Sequence, residues 1–285
     1  MKYRFIEEHR AAYKIKSLCK VLKVSRSGYY AWETRQPSLR QKGNEELLRQ
    51  IEEVHIQSRG LYGSPRIAAE LKRQGFGYGK NRVARIMKEH SIRAAVKKRR
   101  FRRTTDSRHP YALASNLLID RRQVEGIWAA DMTFVPTSEG WLYVAVVMKV
   151  KSRKIIGLGM SDKLSQELAS ATLRDALGRG SPTEGLIHHS DRGRQYASYA
   201  YQELLREYGL TPSMSRSGNC YDNAYVESFF GTLKTELVHG ERYRSRLEAR
   251  LSIFEYVEAF YNRQRSHSAL GYRSPEQYEK LLNET

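Results

Sequence analysis

Cysteine is nearly missing from this chain. Only Cys19 and Cys220 occur, 201 positions apart. Two isolated thiols exclude a disulfide framework and a Cys/His zinc module. No apolar run reaches the roughly 18 residues that a membrane-spanning helix needs, and the N-terminus lacks the apolar core of a signal peptide. A soluble, cytoplasmic protein is expected. No sustained heptad repeat appears, so the chain carries no coiled coil of its own. Acidic residues are scarce in one part only: residues 1–110 hold 28 Lys/Arg against 10 Asp/Glu, whereas residues 111–285 hold 22 against 21. Nearly all of the net charge of +19 therefore lies in the front of the chain. That asymmetry predicts a polyanion-binding front and a near-neutral back with a different task. Membrane-surface binding is the weaker reading, because the basic helices have no broad exposed apolar face.

Residues 13–33 have the spacing of helix, short turn, helix. Ile15, Leu18, Cys19 and Leu22 form the first stripe, Lys23-Val24 turns, and Ser25 is placed to cap a helix with Tyr29, Tyr30 and Trp32. The same pattern suits an ordinary helical hairpin. Thr34 to Lys42 reads as a linker, and a helix is expected from Asn44 through Leu47, Leu48, Ile51, Val54 and His55. His55 has no partner at metal-ligand spacing and reads as a core-edge histidine. Ser64-Pro65 predicts a cap followed by proline at the first helical position, with Ile67 and Leu71 buried and Gly75 ending the helix. A further helix buries Val83, Ile86 and Met87 and leaves Lys80, Asn81, Arg82, Arg85 and Lys88 on its polar side. This second pair is also helix-turn-helix-like, with a face suited to phosphates or base edges; a solvated basic helix is the alternative. Lys97, Lys98, Arg99, Arg100, Arg102 and Arg103 flank Phe101, six cations in seven residues. Their mutual repulsion predicts a linker that orders on a polyanion.

From Asn116 the texture changes. Ile127–Val135, Trp141–Lys149 and Lys154–Met160 read as strands joined by turns at Gly140 and Ser152-Arg153, an antiparallel meander. A helix over Leu164–Leu177, a strand Leu186–Ser190, a helix Tyr199–Tyr208 and a strand Thr211–Ser215 follow. The last expected element is a helix capped by Asp222 or Asn223, in which Val226, Phe229, Phe230, Leu233 and Leu237 make one buried stripe. Glu227 stands at the edge of that stripe, and Lys234 lies two turns further along the same side. Asp131 and Asp191 end two of the strand patterns. Thirty-five residues separate Asp191 from Glu227. Acids at such distances arise by chance; the residues around them are more specific.

Trp128, Asp131 and Thr133, then His189-Ser-Asp191-Arg-Gly193, then Gly218 through Glu227 to Lys234 and Glu236 resemble the catalytic core of insertion-sequence transposases of the IS-three family. That core is in turn similar to the retroviral integrase core. The run from Tyr261 through His267, Gly271 and Pro275 to Tyr278 resembles the family's closing motif, and the likeness extends from about Asn116 to Tyr278. Met132, Arg194 and Ser266 depart from the usual pattern. The resemblance implies a ribonuclease-H-like α/β fold: a mixed five-stranded sheet flanked by helices and preceded by all-α helix-turn-helix modules. It divides the chain into a helix-turn-helix segment (1–42), a second such module (43–96), a basic linker (97–115) and a catalytic domain with C-terminal helices (116–285).

The resemblance further implies that Asp131, Asp191 and Glu227 hold two Mg²⁺ or Mn²⁺ ions, about 3.5–4 Å apart, for in-line displacement at phosphorus. Asp131 is then shared by both ions. Lys234 is expected on a phosphate of the element end and Arg192 near the scissile phosphate; the alternatives are a plain helix cation and a turn residue. His188 and His189 are expected to be buried or supporting residues, not ligands. DNA is the expected partner, both element ends and target, bound by an oligomer. The chain looks like the downstream product of a frameshifted pair, working with or fused to an upstream frame, in a bacterial cytoplasm at the nucleoid. A DNA-binding regulator with an inactive core, and a nuclease of RNA–DNA hybrids, are the competing readings.

Overall fold

The computed structural model describes residues 1–36, 38–95, 111–117, 126–216 and 223–284. The chain forms two compact units, Met1–Glu53 and Val54–Thr285. Among the described residues no helix is long and apolar enough to cross a membrane.

The first unit packs α1 (Lys2–His9), α2 (Ile15–Val21) and α3 (Arg26–Glu33) around Ile6, Cys19 and Tyr29. The turn between α2 and α3 puts Lys23 in the left-handed region, φ 52°, and Ser25 Oγ accepts the Gly28 N–H at 3.0 Å, the cap its sequence position predicts. Tyr29 donates its hydroxyl proton to Glu7 at 2.5 Å, tying α3 to α1, a helix the sequence pattern did not mark. The helix expected from Asn44 begins earlier: α4 runs Leu39–Gln57 and crosses from the first unit into the second. Ser38 Oγ takes the Gln41 N–H at 3.1 Å, so the helix starts inside the expected linker and carries Gly43 within it.

In the second unit α5 (Ser64–Arg73) and α6 (Lys80–Glu89) pack on each other. Gly63, not Ser64, is the N-cap of α5, and no side chain caps it. Pro65 still fits the first turn, where its missing N–H costs nothing. Gly75 ends this helix at φ +94°. The sheet follows the expected order, the first three strands slightly longer than expected and the last two one residue shorter: β1 (Ile127–Thr137), β2 (Gly140–Lys149), β3 (Lys154–Ser161), β4 (Ile187–Ser190) and β5 (Thr211–Met214). Spatially it reads β3-β2-β1-β4-β5, antiparallel through β1–β2–β3 and parallel through β1–β4–β5. This is the mixed five-stranded sheet that the resemblance implied.

Trp128 and Ala130 of β1 enter a core with α7 (Gln166–Gly180), the short α8 (Arg194–Ala197) and α9 (Tyr199–Glu207); α8 was not foreseen. Strand alternation then turns Ala129, Asp131 and Thr133 to the other face. The helices α10 (Ala224–Glu236) and α11 (Arg246–Glu255) contact β1, and α11 contacts β2 as well. A single π-helical turn, Tyr256–Tyr261, continues α11, and α12 (Pro275–Asn283) closes the chain under a Ser274–Gln277 capping box. Asn262 is buried and brackets one residue of β3: its Nδ2 donates to Ile155 O at 2.8 Å and its Oδ1 accepts the Ile155 N–H at 2.9 Å.

Two glycines of β3 let α7 lie close. A methyl group at Gly157 would stand 2.5 Å from the Thr172 carbonyl oxygen and 2.9 Å from Ala176 Cβ. Gly157→Ala is therefore expected to cost about 1–3 kcal/mol by overpacking and to lower the thermal midpoint by several degrees. A variant that melts with the wild type contradicts this account of the α7–β3 contact.

Candidate active site

Parallel pairing of β1 with β4 sets Ala129 beside His189. The ladder ends there, two residues before Asp131 on β1 and before Asp191, which directly follows β4. Each acid is tied to the backbone near it: Asp131 Oδ1 accepts the Met132 N–H at 2.7 Å, and Asp191 Oδ1 accepts the Gly193 N–H at 2.8 Å. A Cβ at residue 193 would lie 2.8 Å from that same oxygen, so glycine allows the approach.

The third acid, Glu227, sits exposed in the first turn of α10. Asn223 occupies the N-cap position, yet its side chain makes no cap bond, contrary to expectation. It is buried, and its Nδ2 donates to the Ala130 carbonyl at 3.1 Å. The β4 ladder on β1 stops at Ala129, and the next carbonyl along β1 takes Asn223, which pins the start of α10 beside Asp131. The other cap candidate, Asp222, lies outside the described residues, as does Cys220.

The charges respond to this placement. Burial pushes the Asp131 carboxyl well above its ordinary value of 3.8, and the negative charges of Asp191 and Glu227 push it further; the Met132 N–H and the Lys234 ammonium oppose them. Lys234 is half-buried, with Nζ 5.2 Å from the centre of the Phe134 ring. Burial lowers its pKa, and the Asp131 charge works in the other direction. Asp131, Asp191, Glu227 and Lys234 are thus within electrostatic reach of one another. Among the described residues, however, no three His, Cys, Asp or Glu side chains are set to hold a metal ion. The acids sense one another without closing into a cage.

Other residues singled out from the sequence take defined places. Arg192 Nε donates to the Ser215 carbonyl at 2.6 Å, joining the segments that follow β4 and β5. His189 spans Ser213 Oγ (2.9 Å) and Ser215 Oγ (3.1 Å), and His188 Nε2 meets the Tyr201 hydroxyl at 3.2 Å. Burial, with His189 next to it, lowers the His188 pKa to about 3, so its imidazole is neutral. On α6, Lys80 is exposed, the Arg82 guanidinium lies 5.2 Å from the centre of the Tyr78 ring, and Arg85 pairs with Glu89 at 2.8 Å. Lys97, Lys98, Arg99, Arg100, Phe101, Arg102 and Arg103 lie outside the described residues.

Sequence reasoning passed over the far end of α10. The Glu236 side chain is 6% exposed, with Arg265 on both carboxylate oxygens (Nε 2.8 Å, Nη2 2.6 Å) and the Tyr256 hydroxyl donating at 2.7 Å. Burial alone would raise its pKa; Arg265, Tyr256 and Arg66 together bring it below its ordinary 4.5. The signal was present: Glu236 and Arg265 both belong to the quoted motifs, but only packing shows that they meet.

Residues 42–100 match the family described as "HTH-like domain", and residues 121–220 and 208–275 match two families described as "Integrase core domain". The chain is 46% identical over 261 residues to "Insertion element IS600 uncharacterized 31 kDa protein" of Shigella sonnei, covering 90% of this chain and 96% of that one. It is 42% identical over 284 residues to "Transposase InsF for insertion sequence IS3A" of Escherichia coli (strain K12), covering 98% of each. Among solved structures it is similar to the catalytic core domain of BIV integrase: 17% identical, TM-score 0.41, 55% of this chain and 96% of that one.

The repulsion at Asp131 has a measurable consequence. A carboxyl whose folded pKa is raised destabilises the fold as pH climbs above its unfolded value, because the unfolded chain gives up the proton more readily. Asp131→Asn, measured without divalent cations near pH 7, is expected to raise the thermal midpoint by roughly 2–4 °C. The gap should shrink as pH falls toward 4 and the wild-type carboxyl takes up its proton. A midpoint unchanged at both pH values contradicts the placement of Asp131 beside other negative charge.

Proposed function

The chain belongs to the insertion-sequence transposases of the IS3 family, as its identity over nearly full-length relatives shows, and on that premise we propose that its own Asp131, Asp191 and Glu227 cut element-end DNA and join it to a target. The observation that carries this reading is geometric: Asn223 at the head of α10, four residues before Glu227, bonds the Ala130 carbonyl next to Asp131. Three carboxylates, from a strand, a strand end and a helix, make a site that favours positive charge.

The donor set fits the cation the family implies. It is all oxygen and anionic, which suits Mg²⁺ or Mn²⁺ and not a soft metal. Asp131 would be shared between two ions, with Asp191 and Glu227 each holding one. When bound, such ions lower the pKa of an attacking water or 3′-hydroxyl and stabilise the leaving oxygen. The protein's part is placement. Asn223 and the β1–β4 register hold the acids, and Lys234 sits where it can neutralise a phosphate next to Asp131. In the first step water adds to phosphorus, the P–O3′ bond breaks, and the departing oxygen takes a proton as a free 3′-hydroxyl. In the second, that hydroxyl adds to a target phosphorus and the target strand's own 3′ oxygen leaves. One phosphodiester is exchanged for another, so joining needs no external energy source.

Division of labour along the chain follows the charge. The helices of residues 1–42 and 43–96, with Lys80, Arg82 and Arg85, would engage element ends; the cations Lys97 to Arg103 would neutralise backbone phosphates; residues 116–285 would do the chemistry. Assembly on DNA as an oligomer, with an upstream-frame product as partner or fusion, and action at the nucleoid of a bacterial cytoplasm complete the proposal.

Purified protein with Mg²⁺ or Mn²⁺ and labelled element ends is expected to yield nicked and joined products. Asp131→Ala should remove them while leaving end affinity within about twofold, since ΔΔG of binding stays under ~0.5 kcal/mol. Equal inertness of both proteins, with DNA binding intact, would instead establish the regulator reading. On the front module, Lys80→Ala and Arg82→Ala should each reduce the slope of log affinity against log salt by about 1. Slopes that match wild type in an anisotropy titration would remove α6 from the DNA interface.

A further inference from the structure

The helix carrying Glu227 is held at both ends by side chains outside the chemistry. Asn223 ties its start to β1. Glu236, nine residues after Glu227, projects from the opposite side of the helix, two and a half turns on. Together the two anchors restrain the helix at its head and at its far end.

One part of the far anchorage comes from the front module. Arg66 of α5 brings Nη1 to 3.5 Å from Glu236 Oε1, with its guanidinium 5.5 Å from the centre of the Tyr62 ring. Tyr62 is bonded to the tail: its hydroxyl accepts the Ser266 N–H at 2.6 Å and donates to the Gln264 carbonyl at 3.3 Å. Arg59, just ahead, pairs with Glu255 at 2.7 Å. The two arginines on Glu236 differ in kind. Arg265 is 6% exposed and bonded at 2.6 Å; Arg66 is 27% exposed and stands at 3.5 Å. The first keeps the buried carboxylate paired whatever α5 does. The second depends on where α5 sits and has room to tighten. A cavity of about 270 Å³, lined by Tyr62, Arg73, Phe260 and Gln264 among others, lies in the same interface.

Resting on the transposase reading above, we propose that Glu236 is a positioning residue for Glu227, and that Arg66 is the strut through which DNA held on α6 fixes the catalytic helix. Because α5 and α6 pack on each other, DNA drawn onto Lys80, Arg82 and Arg85 would be felt through α5 at Glu236. The motif that runs from Tyr261 to Tyr278 then serves as the fixed floor against which the strut works.

The test compares the full-length wild type with Arg66→Ala and Arg66→Lys, using an element-end duplex and Mn²⁺. Arg66→Ala should keep end affinity within about twofold and melt within a few degrees of wild type, yet lose ~10–100-fold in single-turnover cleavage, the penalty for a misplaced catalytic group. Arg66→Lys should recover most of that rate. Hydrogen exchange gives a reading that needs no turnover: element-end DNA should slow exchange of the Ala224–Glu236 amides in wild type and not in Arg66→Ala. Should wild type fail to cleave, the transposase reading falls while the exchange comparison still decides the strut. Equal protection of α10 in both proteins overturns the proposal. So does an unchanged rate, or a rate that drops only in step with the melting temperature.

Discussion

Like charges brought together inside a fold are the constraint from which this structure is best understood. The parallel β1–β4 pairing ends two residues before Asp131 and Asp191, α10 adds Glu227, and Asp131 is only partly open to water. The nearby charges and the lost water raise the cost of a negative charge at Asp131, and the pKa moves accordingly. What holds such an arrangement is the rest of the molecule: backbone N–H groups of Met132 and Gly193 turned to the carboxylates, a half-buried Lys234, and a sheet too well paired to relax.

A second theme is how much of the chain serves to aim one helix. Asn223, Glu236, Arg265, Tyr256 and Arg66 tie down the two ends of the helix that carries Glu227. The buried Glu236–Arg265 fork is worth more as geometry than as energy, since burying a charge pair returns little net stability. Its value lies in direction: two parallel bonds to a planar guanidinium leave α10 a single roll angle. The tail motif therefore has a structural use. Asn262 holds β3, Arg265 holds α10, and the Ser266 backbone holds Tyr62.

Much of the fold was legible in the sequence because its strands are mostly apolar runs bounded by turn residues, as at Gly140, whose φ of +106° suits glycine. The order of elements followed, and the mixed sheet is what the family resemblance implied. Boundaries failed where local chemistry was ambiguous: Ser38 is as good a cap as Asn44, and the helix took the earlier one. Asn223 shows the deeper limit. At an N-cap position an asparagine is expected to cap, but a neighbouring strand offered a carbonyl that needed a donor, and that neighbour is 93 residues away in the chain. The acids themselves were marked by the residues around them. That Asp131 feels both partners is a fact of packing, as is the Glu236–Arg265 pair; no spacing rule joins residues from opposite ends of a domain.

The central claim is that Asp131, Asp191 and Glu227 close on divalent cations when DNA is present. The most direct measurement is a crystal structure of the chain with element-end DNA and Mn²⁺, with manganese located by anomalous scattering. The account predicts two manganese ions, with an Asp131 oxygen on both and Asp191 and Glu227 on one each. Manganese bound elsewhere, or Glu227 turned away from an occupied Asp131–Asp191 pair, would contradict it.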